Sequence, residues 1–248
     1  MEKMTFKNWL DYFIANQNHF DHLDWAIADR LNENEIRIIK SSIQQFQKGE
    51  NSEGKNLMRH AYRFNNTDYS EVIKYFIREE QRHAHVLGQL MRINKIEKIK
   101  NHWVDDVFRL LRKPASLENS IVVLITAEII AAVYYRSLRE STNSEILKKI
   151  CDRILCDEEM HINFQSFTLN EFYGRRSSAG KKFIRIFHKI LMTGTTMVVW
   201  TYHKRVLKQG GYNFKSYYKA IFEEFNRSDR MIKGCEEITI KISTPELV

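Results

Sequence analysis

Apolar residues recur along most of this chain at steps of three, four and seven, the period of helices with one buried face. In the first long stretch Ile43, Leu57 and Phe64 fall on a seven-residue step that also takes in Glu50. Val72, Phe76, Glu80, His83, Leu87 and Leu90 form a second stripe. Ile121, Leu124, Glu128, Ala131, Tyr135 and Leu138 form a third. A weaker fourth contains Leu147, Ile154, Glu158, His161 and Gln165. The spacing predicts helix A over Asn34 to Phe64, weakened by Gly49 and Gly54 beside Glu50. The turn Asn65-Asn66-Thr67-Asp68 supplies an N-cap for helix B, which runs to Met91. Helix C runs from Leu117 to Glu140, and helix D follows Ser141-Thr142-Asn143 and ends at Tyr173.

The flanking segments follow the same period. Trp9, Leu10, Phe13, Phe20, Leu23 and Trp25 mark one or two short amphipathic helices before residue 30, a brace over the bundle. Residues 92 to 116 are the longest connection, with a helical piece from Trp103 to Leu111 ahead of Pro114. Helix E spans Lys181 to Lys208, and its uncharged middle, Ile190 to Trp200, is expected to pack on the bundle. Helix F covers Phe214 to Phe225. Beyond it, the alternation Ile238-Thr239-Ile240-Lys241-Ile242 fits an edge strand, a dimer contact or disorder. The expected fold class is all-α, one domain over residues 1–248. It comprises a brace (1–32), a four-helix core (33–173), additional helices (174–225) and a tail (226–248). With 2 Pro and 9 Gly in 248 residues, little punctuates long helices.

The apolar stripes carry acids where a buried face should have none. Between Ile121 and Tyr135 every residue except Thr126 and Glu128 is aliphatic, Ala or Tyr. An isolated ionised carboxylate there is costly, so Glu128 has to be neutral, paired or bound to a cation. Partners appear at a fixed interval. Glu158 and His161 form a Glu-x-x-His, whose spacing puts both side chains on one helical face. The arrangement occurs once before, at an offset of 78: Glu50 matches Glu128, Glu80 matches Glu158 and His83 matches His161. Two copies of a carboxylate helix and a Glu-x-x-His helix match the ligand set of a dinuclear metal site in a four-helix bundle.

The charges balance, since four inward glutamates offset two divalent ions with both histidines neutral. Carboxylate with imidazole suits iron or manganese, although affinity order leaves zinc open. Glu79 and Asp157, each one residue before a ligand Glu, also lie 78 apart. They are candidates to accept the second ring N–H of a ligand His, each serving the opposite motif. The alternative is a pair of exposed helix acids. Tyr134 and Tyr135, beside Ala131 and Ala132, are the catalytic candidates that would supply a hydroxyl. His188 and His203 read as ordinary, partly exposed positions.

Gly49-Glu50-Asn51-Ser52-Glu53, Glu80-Gln81-Arg82-His83, Glu128 followed by Ala131-Ala132-x-Tyr134-Tyr135, and Asp157-Glu158-x-x-His161-Ile162-Asn163-Phe164 together resemble the ferritin-like di-iron carboxylate proteins. The local likeness is closest to the aldehyde-deformylating oxygenases. It covers residues 40 to 170 and is specific at six ligand positions. The resemblance implies a ferritin-like bundle with a long B–C crossover. It implies Glu50, Glu80, His83, Glu128, Glu158 and His161 as ligands to two Fe ions, with Mn or mixed Mn/Fe as variants. It implies a non-haem oxidoreductase that activates O2, with an external electron donor and an unidentified small-molecule or carrier-bound substrate. Leu87 stands where the ribonucleotide-reductase branch has Tyr, so no tyrosyl radical is expected there. The alternative is a ferroxidase or iron-handling protein. Against that stand the long extension after helix D and the lack of a Cys-x-x-Cys module of rubrerythrin type.

Composition adds a few bounds. Three cysteines without C-x-x-C spacing, no signal-peptide pattern and no apolar run near the length of a bilayer point to the cytoplasm. The net charge of +8 sits entirely in residues 171–248, with 15 basic and 7 acidic residues against 24 of each before them. No base-reading motif accompanies this excess, so nucleic acid is not an expected partner; a homodimer is compatible with the sequence.

Overall fold

The computed structural model describes residues 4–17, 20–21, 23–26, 28–51, 54–99 and 116–241. They are all-helical, with no strand among them, and are compatible with a helical bundle. The described helices are α1 (Phe6–Ala15), α2 (Glu33–Glu50), α3 (Lys55–Arg63), α4 (Thr67–Ile93), α5 (Leu117–Glu140), α6 (Glu145–Tyr173), α7 (Ser178–Gln209) and α8 (Phe214–Ile232).

Most of the starts are written in side chains. Thr5, Asn32, Asn66, Ser116, Ser144, Ser177 and Asn213 each accept a hydrogen bond from a first-turn backbone N–H, satisfying a donor that the helix leaves open. At α6 the cap is doubled. Asp29 accepts from the Ser144 hydroxyl and from the N–H groups of Glu145 and Ile146, which ties the segment before α2 to the start of α6.

The expected helix A is two helices. α2 ends at Glu50, and α3 begins after Gly54, whose φ of 61° is left-handed. A Cβ at Gly54 would also collide with the Ile77 side chain of α4. The break therefore lies just past a candidate ligand. Helix F likewise differs, continuing to Ile232. The tail up to Lys241 is not a strand. It lies on α6, where the Asn163 amide donates to the Thr239 carbonyl and Lys241 pairs with Glu159. The expected piece from Trp103 to Leu111 lies outside the described residues.

α2 packs on α4, α4 on α6, and α6 most extensively on α5; α7 packs on both α5 and α2. α1 lies against α4, with Trp9, Leu10 and Phe13 buried beside Val72, Phe76 and Phe164. α5 is buried along nearly its whole length. Among the described residues it alone is long and apolar enough to cross a membrane, which corrects the expectation of no such run. Since 89% of that stretch is inside the protein, it is a core helix. The middle of α7 departs from expectation as well. Met192, Thr195, Thr196 and Val199 are buried, while Ile190 and Met197 face outward.

Gly54→Ala combines left-handed strain with a steric collision, and is expected to lower stability by about 1–3 kcal/mol. Chemical denaturation measures this. An unchanged midpoint would mean that α2 and α3 can join without a special backbone.

Candidate metal centre

The four core helices bring six chemically active side chains to one level. Glu50 is the last residue of α2, Glu80 and His83 lie on α4, Glu128 on α5, and Glu158 and His161 on α6. They form two overlapping sets. Glu50, Glu80, His83 and Glu158 make one, and Glu80, Glu128, Glu158 and His161 the other. Within each, one ligand atom per residue lies within 4.8 Å of all the others, so each set could hold a metal ion. Glu80 and Glu158 belong to both. All but Glu80 are buried, and Glu80 is half-buried by the same measure.

Both imidazoles face the same way. His83 Nδ1 lies 3.7 Å from Glu80 and 4.0 Å from Glu50 and Glu158. His161 Nδ1 lies 3.1 Å from Glu80, 3.4 Å from Glu128 and 3.8 Å from Glu158. Their other nitrogens are held crosswise. His83 Nε2 is 3.0 Å from Asp157 Oδ2, and His161 Nε2 is 2.8 Å from Glu79 Oε2. A carboxylate accepts only, so Nε2 carries a hydrogen, and an imidazole in its neutral form presents the Nδ1 lone pair to the glutamates. Glu79 and Asp157 are thus buried partners of histidine rather than exposed acids.

Two residues the sequence reading missed complete this layer. The Asn16 amide, just past α1, donates to Glu79 Oε1 at 2.6 Å and to Asp157 Oδ1 at 3.0 Å. Arg153 Nη2 donates to Asp157 Oδ1 and to Asn16 Oδ1, each at 2.6 Å. Arg153 precedes Asp157 by one helical turn, a pairing that i,i+4 spacing offers to a reader of the sequence. Nothing in the sequence near Asn16 carries such a signal. Aromatic rings close the other sides: Phe13 stacks on His161, Phe76 meets it edge-on, and Phe20 meets His83.

The tyrosines separate. Tyr135 Oη donates to Glu50 Oε1 at 2.6 Å and so touches the cluster. Tyr134 turns away and accepts from the Ser42 hydroxyl, which lies 2.7 Å from His203 Nδ1. His203 and His188 are both buried, correcting their expected partial exposure, and neither joins the cluster. Burial lowers the His188 pKa to about 4, so it stays neutral. A surface groove of about 730 Å³ over α5, α6 and α8 includes none of the six cluster residues.

The cluster fits a cation by what its atoms lack. His83 Nδ1, His161 Nδ1, Glu80 Oε1 and both Glu158 oxygens are buried without a hydrogen bond. All five face the shared interior of the two sets. Burial and the Glu80 charge push the Glu50 carboxyl well above its usual range, and burial with Glu128 does the same to Glu158. At Glu80 burial acts in the same direction, but His161 and His83 outweigh it and the pKa falls. Burial would lower the His161 pKa, yet the surrounding Glu128, Glu158, Glu79 and Glu80 raise it well above its ordinary value. Burial and Glu50 keep the proton on Tyr135. Without a metal, protons do the neutralising.

The structure therefore defines a class: an all-helical protein with a buried Glu/His cluster that could hold metal. No protein-family model matches the chain, and no curated protein does.

A raised folded pKa contributes stability that is complete below the unfolded pKa and is lost as pH climbs through the folded value. For Glu50 and Glu158 that loss begins above 4.5, and for His161 above 6.5. The lowered pKa of Glu80 acts only below 4.5, so it does not offset them at neutral pH. Metal-free protein is accordingly expected to melt at lower temperature at pH 8 than at pH 5.5. Replacing Glu50, Glu80, Glu128 and Glu158 together by Gln should abolish most of that slope. At pH 8 the variant should melt at or above the metal-free wild type, at about 2–4 °C per kcal/mol. A variant that unfolds would mean that the glutamates are structural partners of basic groups.

Proposed function

We propose that this chain is a ferritin-like enzyme that holds two iron ions, or manganese in one or both places, and uses O2 to oxidise a substrate. The six ligands would be Glu50, Glu80, His83, Glu128, Glu158 and His161. The observation that carries this reading is the pair of inward imidazole lone pairs, each fixed by an acid of the opposite motif, around two shared carboxylates. Bound there, two redox-active ions would supply the electrons that reduce O2.

The chain's own residues do the rest. Glu80 and Glu158 belong to both sets, which keeps the two sets close. Asp157 and Glu79 fix the tautomer and plane of each imidazole, with Asn16 and Arg153 holding the acids in turn. Tyr135 holds a proton against Glu50, ready at the edge of the first set. Phe13, Phe20 and Phe76 limit water around the histidines. Four carboxylates match the charge of two divalent ions, so a loaded core is neutral without protons. Oxidation of an organic substrate also requires an external electron donor. In the ferroxidase alternative, Fe(II) itself is the substrate and neither donor nor organic substrate is needed.

Protein from iron-supplemented cells is expected to contain two metal ions per chain by elemental analysis, and Glu128→Ala should lower that content sharply. A content of one or none in the wild type would remove the basis of the proposal. Oxygen uptake that consumes Fe(II) stoichiometrically and stops would favour iron handling over substrate oxidation.

Asp157→Asn retains the shape of the layer but weakens the acceptor for His83. It is expected to leave the helical content unchanged and to weaken metal binding roughly 10- to 100-fold, as loss of a partner behind a ligand usually does. Competition with a chromophoric chelator gives the affinity. Equal affinities would leave Asp157 with a packing role only.

A further inference from the structure

Among the described residues, one face of α7 is left uncovered. Phe183, Ile186, Ile190 and Met197 are 71%, 50%, 67% and 52% exposed. Their steps of three, four and seven set them in one line along the helix, with Gly194 between Ile190 and Met197 and Thr201 after them. The opposite face, including Ile184, Met192 and Val199, is buried. Large apolar side chains scattered singly on a surface need no explanation, but a continuous ridge marks a contact.

Charge indicates what covers it. α7 has seven Lys and Arg and no Asp or Glu in its 32 residues. All seven lie toward the ends, and no Lys or Arg falls between Ile190 and His203. Lys204 and Lys208 continue the line of the ridge beyond Thr201 with Arg205 beside them, and Lys182 and Lys189 flank its other end. These five are exposed. The remaining two are engaged: Arg185 pairs with Asp229, and Lys181 lies over the Tyr173 ring. A second α7 laid on this face, parallel or antiparallel, would bring cations against cations. An anionic lipid surface accepts the ridge at its acyl boundary and the cations at its headgroups.

We propose that α7 is a membrane-docking face that lies in the plane of an anionic lipid surface. Phe183, Ile186, Ile190 and Met197 enter the interface, and Lys182, Lys189, Lys204, Arg205 and Lys208 sit at the phosphate level. The protein then rests on the bilayer rather than spanning it, and α5 stays in the core. This rests on α7 alone and does not depend on the metal reading.

The test is sedimentation of the full chain with phosphatidylcholine vesicles, with and without phosphatidylglycerol. Pelleting is expected only with phosphatidylglycerol, and high salt should reverse it. Changing Lys204, Arg205 and Lys208 together to Glu should weaken partitioning more than about tenfold, since each cation near such a surface contributes roughly fivefold. Ile190→Glu with Met197→Glu should abolish binding, and Ile190→Ser with Met197→Ser, which adds no charge, should weaken it. Both pairs should keep the wild-type melting temperature, because the replaced side chains are exposed. Absence of pelleting with anionic vesicles overturns the proposal. Binding that both Ile190/Met197 pairs leave intact also does so, because it would make the cations a general polyanion site. A wild-type dimer that the Glu pair converts to monomer, without vesicle binding, would assign the face to a second copy and overturn it as well.

Discussion

Six ionisable side chains meet inside this protein where water cannot separate them. Four carboxylates and two imidazoles within a few ångströms are stable only if something positive stands among them, a proton or a metal ion. The rest of the arrangement follows from that requirement. The four helices that contribute the cluster have to reach the same level, and α2 stops as soon as it has delivered Glu50. The two imidazoles present lone pairs inward because their other nitrogens are taken by Asp157 and Glu79. Those acids are in turn held by Asn16, which donates to both, and by Arg153, which donates to Asp157.

This changes the meaning of the N-terminal brace. Its apolar residues cover α4 as an amphipathic helix should, with Trp9 and Phe13 among the most buried side chains. Its end does something that coverage alone does not require. One amide, Asn16, donates to both acids behind the histidines, so the position of α1 is linked through two hydrogen bonds to the orientation of both rings. A shift of α1 would therefore be felt by both candidate sets at once. Packing and site chemistry are joined at this residue.

Much of this was legible in the sequence because two regularities coincide there. Helical period identifies which face is buried, and an acid on that face contradicts it; Glu128 inside an aliphatic run is the clearest case. The repeat at 78 residues then pairs each anomaly with a second, and the crossed partnership of Glu79 and Asp157 with the opposite histidines follows the same repeat. What stayed hidden depends on three-dimensional neighbours or on local backbone. Asn16 looks like any residue closing a short helix. The break at Gly54 required its left-handed φ, since glycine inside a helix is also tolerated. The burial of His188 and His203 comes from elements far away in sequence, such as Ser42 for His203. The exposed side of α7 is invisible for the opposite reason: an uncharged run reads as core whether or not a neighbour is present to cover it.

The crossed pairing also sets an order in time. His83 reaches Asp157 across 74 residues, His161 reaches Glu79 across 82, and Tyr135 reaches Glu50 across 85. A chain made from its N-terminus exposes Glu50, Glu80 and His83 while Glu158 has not yet been synthesised. Because Glu158 belongs to both sets, neither is complete until α6 has left the ribosome. A metal ion arriving early finds only a fragment of a site, with one imidazole whose tautomer is not yet fixed. An ion held by this cluster would therefore be captured late in assembly rather than seed it, because the groups that surround it come from both halves of the chain.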